Sequence, residues 1–302
     1  MSDITAKMRA TARELLEKGE VKYVIGWEKG TFWYQSTPVF VDKPEETDKL
    51  VWDEFCLNNL AVYLLDDRQG EGKIGLFVKG CDSRGVVRLI QDKQFPRERV
   101  YLIGIPCPGL KDVKEAAALG QGADVPLAEK CRYCDHKNPV MYDVLIGEGA
   151  PEAAAEVAAT AAAGDRFAEV KEIEAMDPDE RYAYWTAQYD RCIRCFACRN
   201  ICPACNCREC IFDQTAVGWL SKEVTGAGNQ FYGLVRAFHV AGRCIECGEC
   251  ERVCPMDIPM MKLNRKIIKD INELFGENEA GVDLEKLPPL GLYSPDDPEE
   301  FM

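Results

Sequence analysis

The sequence predicts two halves of different kind: an α/β domain with parallel strands over residues 1–147, and a mainly α domain wrapped around cysteine loops over residues 181–265. Three observations predict this. Strand-length apolar runs alternate with helix-periodic segments through the first half, the pattern of a parallel sheet with helices on its faces. Residues 148–180 then change character, with Glu-Gly-Ala-Pro-Glu-Ala-Ala-Ala and Ala-Ala-Thr-Ala-Ala-Ala-Gly reading as a linker and helix, or as a surface helix of the first domain. Finally, eleven of the sixteen cysteines fall between Cys192 and Cys254.

The elements follow in order. Residues 1–20 read as an amphipathic helix. Lys22–Trp27 and Thr31–Val41 read as strands, and Pro44–Asn59 as a helix opened by Pro-Glu-Glu. Leu60–Leu65 is apolar and strand-like. Ile74–Lys79 is a strand, Arg84–Gln91 a helix, Val100–Ile105 a strand and Lys111–Leu119 a helix. Gly70, Gly72 and Gly75 match G-x-G-x-x-G. They precede a strand instead of following one, so they predict a turn and no nucleotide site. In the second half, Gln230–Gly242 and Met260–Leu274 read as helices, the first closed by glycine. Residues 266–302 complete that helix and end in an acidic tail, Asp296-Asp297-Pro298-Glu299-Glu300, mobile or resting on a partner.

Composition narrows the function. The chain has 302 residues, 47% apolar, enough for real cores. Its net charge is −14, which disfavours phosphate backbones; with no basic segment, a nucleic-acid-binding redox sensor is the weakest class considered. No run reaches the length of a membrane span, and the N-terminus lacks the apolar core of a signal peptide, so a cytoplasmic protein is expected. Sixteen cysteines in a reducing compartment are metal ligands or reactive groups, not disulfides. Only two histidines, His136 and His239, accompany them, which tilts the metal from zinc toward iron–sulfur chemistry.

Cys192, Cys195, Cys198 and Cys202-Pro203 are spaced C-x2-C-x2-C-x3-C-P, and Cys244, Cys247, Cys250 and Cys254-Pro255 repeat the spacing. Three cysteines at this interval wrap one cubane, and the fourth, before proline, turns toward the other. The expected sets are therefore Cys192, Cys195, Cys198 and Cys254 on one [4Fe-4S] cluster, with Cys244, Cys247, Cys250 and Cys202 on the second. The second half is thus expected to be a mainly α, two-[4Fe-4S] ferredoxin-like domain. His239 is expected to pack or to support the site rather than ligate. Arg191, Arg194, Arg199 and Arg243 flank the cysteines, either offsetting cluster charge or solvated.

Eight cysteines remain. Cys205, Cys207 and Cys210 follow the first motif as C-x-C-x2-C, ligands of a further cluster or shielded free thiols. Cys81 and Cys107 each follow a predicted strand and precede a predicted helix. In a parallel sheet such loops share the C-terminal edge, where ligands bind. With Cys131 and Cys134 they would complete a third cubane; a zinc knuckle or a Cys131/Cys134 redox pair is the alternative. Cys56 shares an apolar helix face with Trp52 and Leu60 and is expected to be structural.

The stretch Lys79-Gly-Cys81-Asp-Ser-Arg-Gly85 resembles the coenzyme F-420 hydrogenase/dehydrogenase beta-subunit family. So do Gly104-Ile-Pro-Cys107-Pro-Gly109, Arg191 to Arg199 and Ala237 to Cys250. The resemblance covers roughly residues 50–260. It implies FAD in the α/β domain, exchanging electrons with a cluster chain, because a flavin converts two-electron hydride chemistry into single-electron hops. It also implies a catalytic partner such as a formate dehydrogenase or a hydrogenase. Lys79, Ser83 and Arg84, at a strand end, are the flavin candidates. The alternative is a flavin-free electron-transfer adaptor joining a catalytic subunit to a heterodisulfide-reductase-like complex.

Overall fold

The computed structural model describes residues 2–148 and 165–291. The alanine-rich stretch 149–164 and the acidic tail lie outside them. The chain divides into two compact units, residues up to 164 with 281–284, and 165–280 with the residues from 285 onward. Residues 165–180 and the helix beyond residue 265 thus both fall in the second unit. Among the described residues, no helix is long and apolar enough to cross a membrane.

The first unit opens with α1 (Ser2–Glu17), whose Met8, Ala12 and Leu15 are spaced on one face and buried. Strands β1 (Tyr23–Lys29) and β2 (Ser36–Val41) pair antiparallel. Strand β3 (Ile74–Val78) pairs parallel to β1 and leads into α2 (Gly80–Gln91). Strand β4 (Val100–Gly104) pairs parallel to β3, Val78 opposite Gly104, and is followed by α3 (Val113–Leu119) and the short α4 (Glu129–Arg132). A two-residue strand, β5 (Val144–Leu145), adds parallel to β4 and gives the order β2-β1-β3-β4-β5. Every residue of β3 is buried, as the continuous run Ile-Gly-Leu-Phe-Val implies for a strand covered on both faces.

Two elements depart from the sequence reading. Pro44–Asn59 is not one α-helix. It is a 3-10 helix over Pro44–Lys49 followed by irregular chain. Leu60–Leu65 is not a strand but part of a 3-10 helix over Leu60–Asp67. Asn59 decides the second case, since its side chain accepts from the Ala61 amide and starts a helical turn. Short apolar runs do not distinguish strand from helix by period.

The second unit is helical: α5 (Ala168–Ala175), α6 (Pro178–Asp190), α7 (Ala197–Asn200), α8 (Gly226–His239), α9 (Glu249–Arg252) and α10 (Met260–Phe275). Asp177 caps α6 with Pro178 at its first position, and Thr225 caps α8. The longer helices hold two cysteine loops that end in the short helices α7 and α9.

Candidate iron–sulfur sites

The two loops of the second unit have the same backbone. Arg194 and Glu246, two residues past Cys192 and Cys244, both have positive φ, 52° and 53°. Phe196 and Gly248, two residues further on, are at 59° and 65°. Left-handed turns at non-glycine positions cost on the order of 1–2 kcal/mol each. Phe196 stacks edge-on against Tyr232, their centroids 5.2 Å apart, which offsets part of that cost.

The thiols gather as a crossed pair of sets. Cys192, Cys195 and Cys198 line one pocket together with Cys254 of the other motif. Tyr189, Arg194, Phe196, Tyr232, Gly233, Ile258 and Met260 are among the residues of its wall. Conversely, Cys202 of the first motif stands beside Cys244 and Cys250, close enough for its charge to raise both thiols. Burial is the larger cause: it pushes Cys244 up and Cys250 up to about 12. Such thiols are poor thiolates unless a cation sits among them. Among the described residues, no three His, Cys, Asp or Glu side chains close on a single ion. The thiols of the first set line a small space.

Buried donors near these thiols also lack acceptors. Arg194 is buried; its Nε donates to Asn229 Oδ1 at 3.1 Å and its Nη1 to the Ser221 carbonyl at 2.6 Å, yet its Nη2 has no partner. The Tyr189 hydroxyl is likewise buried and unpartnered. Arg236 is only 2% exposed. Its Nη2 donates to the Cys198 carbonyl at 2.9 Å, while its Nε and Nη1 find nothing. Buried donors in folded proteins are normally satisfied, so orphans beside thiols indicate an acceptor such as cluster sulfide. Asn229 fastens the first loop, donating to the carbonyls of Tyr189 and Cys192 at 3.0 and 2.8 Å. Among the flanking arginines, Arg199 pairs with Asp213 at 2.8 Å and lies over the Phe196 ring, and Arg243 donates to Asn206. Arg191 is exposed and bonds Gln188.

In the first unit, β3 and β4 are neighbours, so Cys81 and Cys107 leave the same sheet edge. Cys134 lies close enough to raise both thiols, and Cys131 adds to Cys107. Burial dominates here too, pushing Cys81 up and Cys107 up to about 11. Gly80 lets this edge close: a Cβ there would fall 2.0 Å from the His136 carbonyl oxygen, in the loop that follows Cys134. Cations surround the set. Lys137 Nζ reaches the Cys131 carbonyl, Lys130 Nζ the Leu57 carbonyl, and Arg84 acts on Cys134. Cys56 is fully buried in the main core beside Trp52 and donates to the Val51 carbonyl, a structural thiol on irregular chain rather than on a helix.

Lys79 and Ser83 sit in this edge with their polar atoms committed. Lys79 Nζ bonds the Asn58 carbonyl at 3.0 Å and Asp82 at 2.8 Å, and lies 4.1 Å from the Trp27 ring centroid. Burial alone would lower its ammonium, but Asp82 and Cys81 outweigh that and hold it above its ordinary value. Ser83 Oγ donates to the Gly80 carbonyl and accepts from the Val140 amide. Arg84 is buried. All three side chains thus lie buried at the sheet edge that carries Cys81 and Cys107. The G-x-G-x-x-G stretch forms a turn before β3, with Gly72 at φ 80°.

Residues 188–258 match the 4Fe-4S dicluster domain family. The F420-dependent formate dehydrogenase subunit beta of Methanocaldococcus jannaschii is 25% identical, over 93% of this chain and 92% of the relative. The F420-dependent formate dehydrogenase 1 subunit beta of Methanococcus maripaludis is 27% identical, over 95% and 93%. Over nearly its whole length this chain is thus similar to F420-dependent formate dehydrogenase beta subunits. A solved structure, the F420-reducing [NiFe] hydrogenase complex from Methanosarcina barkeri, is 21% identical over 39% of this chain and 45% of that one, at a TM-score of 0.32. In the helical unit the sequence reading missed Arg236, Tyr189 and Asn229. Arg236 carried a readable signal: it falls on the buried stripe of α8 with Tyr232, Gly233 and Ala237, where a charge demands a partner. His239 departs from the packed role expected of it; it is exposed, stacked on Phe212 with centroids 6.5 Å apart.

Proposed function

We propose that this chain is the iron–sulfur electron-transfer beta subunit of an oxidoreductase complex, relaying single electrons to or from a catalytic partner such as a formate dehydrogenase, the kind its relatives' names give, or a hydrogenase, as the sequence resemblance implies. The observation that carries the reading is the crossed grouping of thiols, Cys254 with the first motif and Cys202 beside Cys244 and Cys250. It supports two [4Fe-4S] clusters ligated by Cys192, Cys195, Cys198, Cys254 and by Cys244, Cys247, Cys250, Cys202. Bound there, the clusters supply one-electron transfer. The chain's own residues hold them: the left-handed turns aim backbone amides inward, Arg194 and Arg236 offset anionic charge, and the apolar wall excludes water. The convergence of Cys81, Cys107, Cys131 and Cys134 supports a third cluster in the α/β unit. Phe231, Leu234 and Phe238 leave an apolar stripe exposed on α8, which favours a protein partner.

The committed polar atoms of Lys79 and Ser83 favour a second reading, a flavin-free adaptor between a catalytic subunit and a heterodisulfide-reductase-like complex. Anoxic purification with iron, sulfide and flavin counted per chain separates the readings. About 12 to 16 iron atoms supports clusters beyond the paired motifs, while about 8 restricts ligation to those motifs. One FAD per chain restores the flavoprotein reading at residues other than Lys79 and Ser83. Iron-free protein after anoxic reconstitution would overturn the proposal.

A further inference from the structure

A second, larger cavity opens in the helical unit, outside the paired motifs. Its volume is about 590 Å³. All three cysteines of the C-x-C-x2-C run, Cys205, Cys207 and Cys210, line it, and His239 faces it from the end of α8. Arg236 lines it too, nine-tenths buried, with Nε and Nη1 unpartnered. Arg199, Arg208 and Arg243 complete a basic rim. A water-filled hollow would not need this set. Three soft thiols from one six-residue run call for a thiophilic metal, and a buried guanidinium with two spare donors calls for an anion. One object meets both demands, an iron–sulfur cluster whose bridging sulfides accept hydrogen bonds.

From this geometry we infer a further [4Fe-4S] site, ligated by Cys205, Cys207 and Cys210 with His239 as the fourth ligand. The inference rests on the relay function proposed above and extends it. The Cys205 amide donates to the Cys202 carbonyl at 3.0 Å, so the new site abuts the second ferredoxin set. Cys207 and His239 are exposed, so it faces solvent. It is therefore the terminal stop of the relay on this unit, where a one-electron partner docks. Imidazole in place of thiolate makes the site less anionic and raises its potential above that of an all-cysteine cluster, as it does when histidines replace cysteines in Rieske centres.

The test uses the full chain, purified and reconstituted without oxygen, and its exposed Cys207→Ser and half-buried Cys210→Ser variants. The expected result is about four fewer iron atoms per chain in both variants, with the two ferredoxin signals of the reduced protein retained in electron paramagnetic resonance. Unchanged iron in both variants overturns the site while leaving the ferredoxin clusters standing. Loss of the ferredoxin signals from the unmutated chain instead counts against the relay reading itself. For the fourth ligand, the unmutated protein should show strong 14N coupling to one cluster, and His239→Cys should abolish it with iron retained. Absence of that coupling in the unmutated chain overturns ligation by His239.

Discussion

Arg236 is the residue on which the electrostatics of the helical unit turn. Its guanidinium touches the Cys198 carbonyl at 2.9 Å and acts on Cys202, Cys205 and Cys250, so it stands between the two crossed thiol sets. Taking its charge as about 7 Å from a cluster centre and an effective dielectric of about 20, the interaction with one added electron is about 332/(20 × 7), or about 2.4 kcal/mol. At roughly 1.36 kcal/mol and 59 mV per tenfold for a one-electron couple, that is about 100 mV. Removing the charge makes each cluster harder to reduce. Arg236→Met should therefore move at least one ferredoxin midpoint about 100 mV more negative, while Arg236→Lys, which keeps the charge but loses the fork, should move it by less than half as much. A redox titration followed by electron paramagnetic resonance, at equal iron content, measures this. Midpoints unmoved within about 20 mV in Arg236→Met, or an equal shift in Arg236→Lys, would refute the assignment of charge to Arg236.

Three further outcomes follow from packing and charge. Gly80→Ala would drive a methyl into the His136 carbonyl, at 2.0 Å in the unrelaxed structure; it should destabilise the first unit by about 1–3 kcal/mol in denaturant titration and lower iron by about 4 atoms per chain. Gly233→Ala would meet the Tyr189 ring at 2.1 Å and, since both residues line the Cys192 pocket, should broaden one ferredoxin signal while leaving the other intact. Asp53 shows a pH dependence. Burial alone would raise its carboxyl, but Lys29, the Phe55 amide and Ser36 together hold it below its ordinary value. The stability it adds is complete above the unfolded value of about 3.9 and is lost as pH falls through the lower folded value. Asp53→Asn should cost about 1–3 kcal/mol at pH 7, and the gap to the parent should close in denaturant titrations taken progressively below about pH 4.

What could be read from the sequence is what depends on spacing along the chain. The repeated C-x2-C-x2-C-x3-C-P fixes where the loops fold back, and the proline after each fourth cysteine sends Cys202 and Cys254 across to the opposite set. The edge position of Cys81 and Cys107 was readable because strand–loop–helix order alone assigns both loops to one side of a parallel sheet, whatever the packing. What could not be read depends on where a side chain ends up after folding. Lys79 follows a strand and precedes a helix, the usual place for a phosphate-binding group. Asp82, three residues on, and the Asn58 carbonyl turn it inward against Trp27, and nothing in the spacing announces that. Leu60–Asp67 turned on one cap by Asn59, a local hydrogen bond that apolar periodicity does not report.

Phe196 and Gly248 show the opposite relation between sequence and shape. The two loops hold the same left-handed turn, with glycine in one and a bulky aromatic in the other. Residue preference therefore does not set the turn. If it did, the Phe196 loop would relax to an ordinary conformation and the thiol at Cys198 would swing away from the pocket. A required arrangement of sulfurs sets it instead, and the sequence tolerates the strain wherever neighbours compensate, here Tyr232 and Arg199 on the two sides of the Phe196 ring. The same logic explains the buried arginines. Arg194 and Arg236 would be costly in an ordinary helical core, since each leaves donors without acceptors. Negative charge gathered at the neighbouring cysteines, as bound clusters would supply, offsets that cost.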